Sequence, residues 1–278
     1  MSSPTDALLF DVPASRPLSE QLLGLAADYT RFNDGLGLFR PTAASGPALG
    51  AHAASVARLT RAALASVQAV HDQQPYLNPA MVEATVRIKQ LAHLSGGAAH
   101  HLSEAQAALT GAALADPDGT SLPDSVNLQI QLARELTALA PEAALASAAG
   151  IARERQRRQP IAQTATAGLA ADELAALHAT ALGQVVVSQS QAREYVHSRS
   201  GVVRIGTLRS LEAKGLITRD PASAPPAFDG GPPQDRIRLT SDGVTATASV
   251  LVLPPTTAAL TALSVPHAPA VSAPGRAR

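Results

Sequence analysis

Six cations fall within thirty residues of the chain, Arg193, Arg199, Arg204, Arg209, Lys214 and Arg219, and they face only Glu194 and Glu212 between positions 190 and 219, a local net charge of +4. Such a window can attract a polyanion, because phosphates draw cations at long range while base edges need a few positioned donors. The excess is local. Over residues 171 to 245 the charges balance, and the whole chain carries 22 Lys and Arg against 22 Asp and Glu. A second cluster, Arg153, Arg155, Arg157 and Arg158 against Glu154, follows a front half (residues 1 to 150) with 8 basic and 13 acidic side chains, a net of −5. For that cluster a solvated helix end or linker is the plainer reading, since a polar connector needs no ligand.

Other chemistries find less support. His93, His100 and His101 lie in AHLSGGAAHHLSE, with positions 93 and 100 two helical turns apart. A metal there would need a third and usually a fourth donor, with His71 or Glu104 as the imaginable contributors. Cysteine is absent, which removes thiol catalysis, disulfides and Cys-containing zinc sites. There is no His-Glu-x-x-His pattern, aspartate cluster, phosphate-binding glycine loop or serine nucleophile elbow. The expectation is a binding protein and not an enzyme, with no cofactor and no metal.

The elements that position the cations begin with helices. Aromatic residues make up 3% of the chain and alanine and leucine dominate the apolar set, which suits helices packed closely through small side chains. Pro17 followed by LSEQLLGLAADYTRF predicts a first helix with Leu18, Leu22, Leu25 and Tyr29 near one face, and NDGLGLFRPTAASGPALG reads as a connection. Val56, Leu59, Ala63, Val67 and Val70 predict a helix over about 52 to 71. Asn78-Pro79 supplies a cap and first position for a third, pairing antiparallel with the second. That helix can run on to Leu109, and Gly96-Gly97 marks either a bend or a close helix crossing. After the turn DPDGT, Val126, Ile130, Ala133 and Leu136 predict a fourth helix, which Pro141 either kinks or follows with a new one.

Toward the C-terminus the pattern changes. Asp172 can cap a helix bearing Leu174, Leu177 and Leu182; Val185 to Val187 read as a strand, and SQSQAREYVHS fits either a helix or the return strand of a hairpin. Ile205, Leu208 and Leu211 predict a helix ended by Gly215, with Thr207, Ser210 and Lys214 on its opposite side and Arg209 at the edge. LITR and DRIRL alternate as strands joined by the proline-rich PASAPPAFDGGPPQ, and VTATASVLVL admits a closing helix able to pack back on the front half or to pair with a second chain. The residues LEAKGLITRD followed by DRIRLTSDG resemble the end of the recognition helix, the two wing strands and the exit turn of winged helix-turn-helix proteins, loosely of the MarR type.

The resemblance covers about 75 residues and implies a recognition helix that enters the DNA major groove and a basic wing that approaches phosphate or the minor groove. On that reading Thr207, Arg209, Ser210 and Lys214 face bases or nearby backbone, Arg219, Arg236 and Arg238 support the wing, and Arg199 and Arg204 join the nucleic-acid-binding set. The expected fold is mainly α: an irregular 1–16, a helical domain over 17–150 that can make a homodimer or hold a protein partner, a basic linker or helix end at 151–171, a winged-helix α+β module at 172–250 and a Pro/Ala-rich tail at 251–278. The expected partner is double-stranded DNA, in transcription regulation or as an accessory factor, with a non-enzymatic interaction or scaffold protein as the alternative. The opening residues hold Asp6 and Asp11 and no basic segment leading into an apolar run, and no stretch approaches the roughly 20 apolar residues a bilayer span requires, so a soluble cytoplasmic chain is expected.

Overall fold

The computed structural model describes residues 16 to 73, 78 to 115, 122 to 158, 168 to 190, 193 to 228 and 230 to 251. Five helices come first: α1 (Leu18–Leu38), α2 (Gly46–Gln73), α3 (Pro79–Ala115), α4 (Asp124–Thr137) and α5 (Ala140–Arg158). Their apolar positions recur at three and four residues, as Leu18, Leu22, Leu25, Tyr29, Phe32 and Leu36 do along α1, so one side of each helix buries. At the centre of this core the Tyr29 hydroxyl lies 2.6 Å from Ser95 Oγ, which itself donates to Leu91 O at 2.7 Å. The buried phenol therefore keeps a polar partner.

Three junctions show how the helices meet. Asn78 Oδ1 accepts the N–H of Met81 at 2.9 Å, the expected cap of α3. Gly50 near the start of α2 lies against Gln106 near the end of α3, so the two run antiparallel as expected. The glycine pair in α3 marks a close crossing: the helix continues through it, and a Cβ on Gly97 would sit 3.2 Å from Leu136 Cδ1 of α4. Pro141 stands in the first turn of α5, where its missing N–H costs nothing, so it starts a new helix. The cluster at 153 to 158 is the end of that helix, and Glu154 lies within reach of Arg157 and Arg158.

One expectation is corrected here. The connection drawn from Asn33 onward shrinks to residues 39 to 45, because α1 runs to Leu38 and α2 starts at Gly46. The glycines in this stretch mark close approaches and do not break the helix: Gly35 faces His52, and a Cβ on Gly37 would fall 2.5 Å from Pro225 Cγ.

The second region comprises α6 (Ala171–Ala181), β1 (Val185–Ser190), β2 (Arg193–Ser198), α7 (Ile205–Ala213), β3 (Ile217–Ala224), β4 (Gln234–Leu239) and α8 (Ser241–Val250). The strands form one antiparallel sheet in the order β2-β1-β4-β3. Val185, Val187, Ile217 and Ile237 form a core on one face with Ala176 and Leu177 of α6 and Leu208 and Leu211 of α7. Gly215, at φ +70°, ends α7 with paired bonds, Leu216 N–H to Leu211 O and Gly215 N–H to Glu212 O. Thr240 caps α8 by accepting the N–H of Gly243, and a Cβ on Gly243 would lie 1.9 Å from Leu216 O, so only glycine fits. α8 packs back against α1, α5 and α6.

The described residues thus form a helical block followed by a helix-and-sheet region, matching the expected coarse plan. Of the ambiguous segment 188 to 198, residues 188 to 190 and 193 to 198 are strand and 191 to 192 lie outside the described residues: β1 and β2 pair from Val185↔Ser198 to Ser190↔Arg193. A β-hairpin therefore separates α6 from α7, where a helix-turn-helix would join its two helices by a turn of three or four residues. The wing also departs from a simple hairpin. Its ladder shifts register between Asp220↔Arg236 and Ala224↔Gln234, around Pro221 and Ala222 at φ +51°.

Candidate nucleic-acid interface

Most of the expected contact residues are occupied within the chain. Thr207 is buried and donates to Asp172 Oδ2 at 2.8 Å; Ser210 donates to Glu173 Oε1 at 2.7 Å. Lys214 Nζ lies 2.7 Å from each Glu173 oxygen and 3.3 Å from Gly168 O. This corrects the orientation assigned to α7. The side bearing Thr207, Ser210 and Lys214 is turned toward the first turn of α6, because acids there supply the partners its polar atoms require. The Lys214 ammonium, the Ala170 N–H and the Ser210 hydroxyl hold the Glu173 carboxyl down at about 2. What α7 leaves exposed is Gly206, Arg209, Glu212 and Ala213.

Arg209 and Arg219 converge on one carboxylate, with Arg209 2.9 Å from Glu194 Oε2 and Arg219 2.6 Å from Glu194 Oε1. The two guanidiniums hold the Glu194 carboxyl below the usual range, Arg219 first, and Glu194 in turn raises Arg219. Arg236 and Arg238 go further inward. Arg236 grips Asp34 of α1 through two nitrogens and donates to Gly183 O at 2.6 Å. Arg238 pairs with Asp220 at 2.7 Å and reaches Asp34 at 3.4 Å. Their side chains are 11% and 9% exposed and that of Asp34 5%, so this cluster joins the wing to the helical block from the inside.

Arg199 and Arg204 are different: both are exposed and neither has an ion pair or side-chain hydrogen bond among the described residues. They flank the loop between β2 and α7, where Val202 stands 94% exposed. Strand alternation adds Tyr195 and His197, which were not singled out from the sequence, and Arg193, which was counted in the basic window but not among the contact residues. Along β2, Arg193, Tyr195 and His197 are exposed while Glu194, Val196 and Ser198 turn inward. Arg193 likewise has no charge partner among the described residues. Tyr195 lies opposite Ser188 in the ladder, and Ser188 Oγ sits 2.9 Å from His197 Nε2. The signal was the period of two in Arg-Glu-Tyr-Val-His-Ser; on a helix Arg193 and Tyr195 would diverge.

The geometry is therefore a two-stranded ribbon with a cation, an aromatic ring and an imidazole along one face, and two more cations on the loop that follows. Its opposite face packs on the module core, and α1 covers the other half of the sheet through Asp34. Set against models of known protein families, curated proteins and solved structures, the chain matches none. Among the described residues no three His, Asp or Glu side chains gather as a metal site. No helix among them is long and apolar enough to cross a membrane. What the ribbon offers chemically is uncompensated positive charge beside an exposed ring, a combination suited to phosphate contact and base or sugar stacking.

Proposed function

We propose that this chain is a non-enzymatic DNA-binding protein, regulatory or accessory, that contacts nucleic acid with the β1–β2 hairpin and the loop after it and not with α7. The observation that supports this reading is the contrast in pairing: Arg193, Arg199 and Arg204 are exposed without charge partners among the described residues, while Arg209, Lys214, Arg219, Arg236 and Arg238 are bonded to acids. A free cation on a surface can release condensed counterions on meeting phosphate, whereas a paired one must first give up its carboxylate. A two-stranded ribbon has the width to enter the major groove, and a second copy joined through the helical block would present two ribbons. Fluorescence anisotropy of a labelled random duplex at low salt tests this directly. Binding that weakens linearly in log affinity against log salt is expected, and no binding at low salt removes the reading.

The scaffold alternative draws on a different observation. Leu64, Val82, Val86, Leu114, Leu128 and Leu139 stand exposed on the helical block, surface that a protein partner would cover. A chain that ignores the duplex but sediments as a complex with its partner fits that alternative.

A further inference from the structure

Between α1 and α2 runs a groove of 490 Å³, within the range of small-molecule sites. Its floor is apolar, formed by Phe32 and Leu59, both buried. The His52 ring lines it as well, held edge-on by Phe39 at 5.2 Å and Phe32 at 6.3 Å between ring centroids. Burial pushes the His52 imidazole below its ordinary range. Gly35 lines the groove beside this ring, and a Cβ there would stand 3.7 Å from His52 Cε1, in ordinary contact.

The rim is charged. Asp28 is committed to Arg31 by an ion pair along α1, whereas Arg58 has no ion pair and Ser55 no side-chain hydrogen bond among the described residues. One uncommitted guanidinium, one hydroxyl and one imidazole therefore surround a floor of ring and branched aliphatic surface. We propose that this groove binds a compact organic carboxylate with an apolar body. Arg58 takes the carboxylate through its planar fork, Ser55 and His52 supply the remaining hydrogen bonds, and the apolar body lies on Phe32 and Leu59. Asp28 and Arg31 offset each other on the rim, which leaves the charge of Arg58 to match one carboxylate. The site is separate from the hairpin surface and does not rest on the reading given to it.

The test uses the full chain with benzoate as probe and benzamide, its uncharged isostere, as control, followed by NMR of the His52 and phenylalanine ring signals. Benzoate is expected to shift those signals saturably, with benzamide at least about tenfold weaker. Arg58→Ala should lose at least the same factor, and Ala62→Leu, at an exposed helical position on the rim, should block the groove while leaving the melting temperature unchanged. Benzoate that leaves the His52 signals unmoved, benzamide that binds as well as benzoate, or an Arg58→Ala chain that melts normally and binds benzoate unchanged would each overturn the proposal.

Discussion

The cations of α7 and the wing and those of the β1–β2 ribbon belong to one sheet-containing region, yet they stand in opposite electrostatic situations. Around α7 and along the wing the cations are bonded to acids: Glu173 for Lys214, Glu194 shared by Arg209 and Arg219, and Asp34 with Asp220 for Arg236 and Arg238. Along the ribbon and its loop, Arg193, Arg199 and Arg204 meet solvent. Local charge density therefore does not locate a binding face. The +4 between 190 and 219 counts only the charges inside that window, and carboxylates from α1 and α6 neutralise much of the α7 and wing charge.

If the paired cations serve the fold, breaking their acids should cost stability in proportion to burial. The largest loss is expected at Asp34, whose removal leaves two buried guanidiniums short of a partner. Asp34→Ala should destabilise the chain by about 3–5 kcal/mol, read as a lower urea midpoint at unchanged slope. A loss below about 1 kcal/mol would mean the cluster does not hold the two regions together.

Glu173 should show the next effect, and with a pH signature. Its carboxyl titrates at about 2 in the folded chain against 4.5 for the ordinary group, so the folded state favours the charged form. The stability this contributes is fully present above about pH 4.5 and is lost as pH falls toward 2. Glu173→Gln should lower stability at pH 7 by about 1–3 kcal/mol and flatten the melting temperature between pH 4.5 and 2 relative to wild type. Equal slopes in the two proteins would show that Lys214 does not depend on Glu173.

Arg209 tests the weak end of the paired set. Its side chain is 67% exposed and Glu194 keeps Arg219 when it is gone, so Arg209→Ala should cost no more than about 1 kcal/mol in the same denaturation experiment. On the ribbon the expected cost is smaller still: Arg193→Ala, Arg199→Ala and Arg204→Ala should each stay within about 0.5 kcal/mol of wild type. A larger loss at any of these would mark a structural contact at that residue.

How much of this was legible in the sequence depends on whether the signal is periodic within one element. The stripes Val56 to Val70 and Val126 to Ala133 specify α2 and α4, and the Asn78 cap and the Gly215 turn act through their nearest neighbours. The reach of α1 to Leu38 was not legible, because Gly35 and Gly37 read as breakers until His52 and Pro225 are seen packed against them. The second strand was hidden by residues that alternate acceptably on either period. For the site, apolar spacing identified the packed side of α7 but could not say what met the other side. That answer required Asp172 and Glu173, 35 to 41 positions away in sequence, and for the wing arginines Asp34, more than 200 away.

Two folded variants compared in one salt titration decide whether the ribbon, and not α7, meets nucleic acid. The triple variant Arg193→Ala, Arg199→Ala, Arg204→Ala and the single variant Arg209→Ala are titrated onto the same random duplex, with circular dichroism confirming the fold of each. Removing one cation from a phosphate reduces the slope of log affinity against log salt by about 0.9. The triple variant should therefore lower the slope by between about 2 and 3 and bind much more weakly at low salt, while Arg209→Ala stays near wild type. A triple variant that keeps the wild-type slope while Arg209→Ala binds more weakly would contradict the account and return DNA contact to α7.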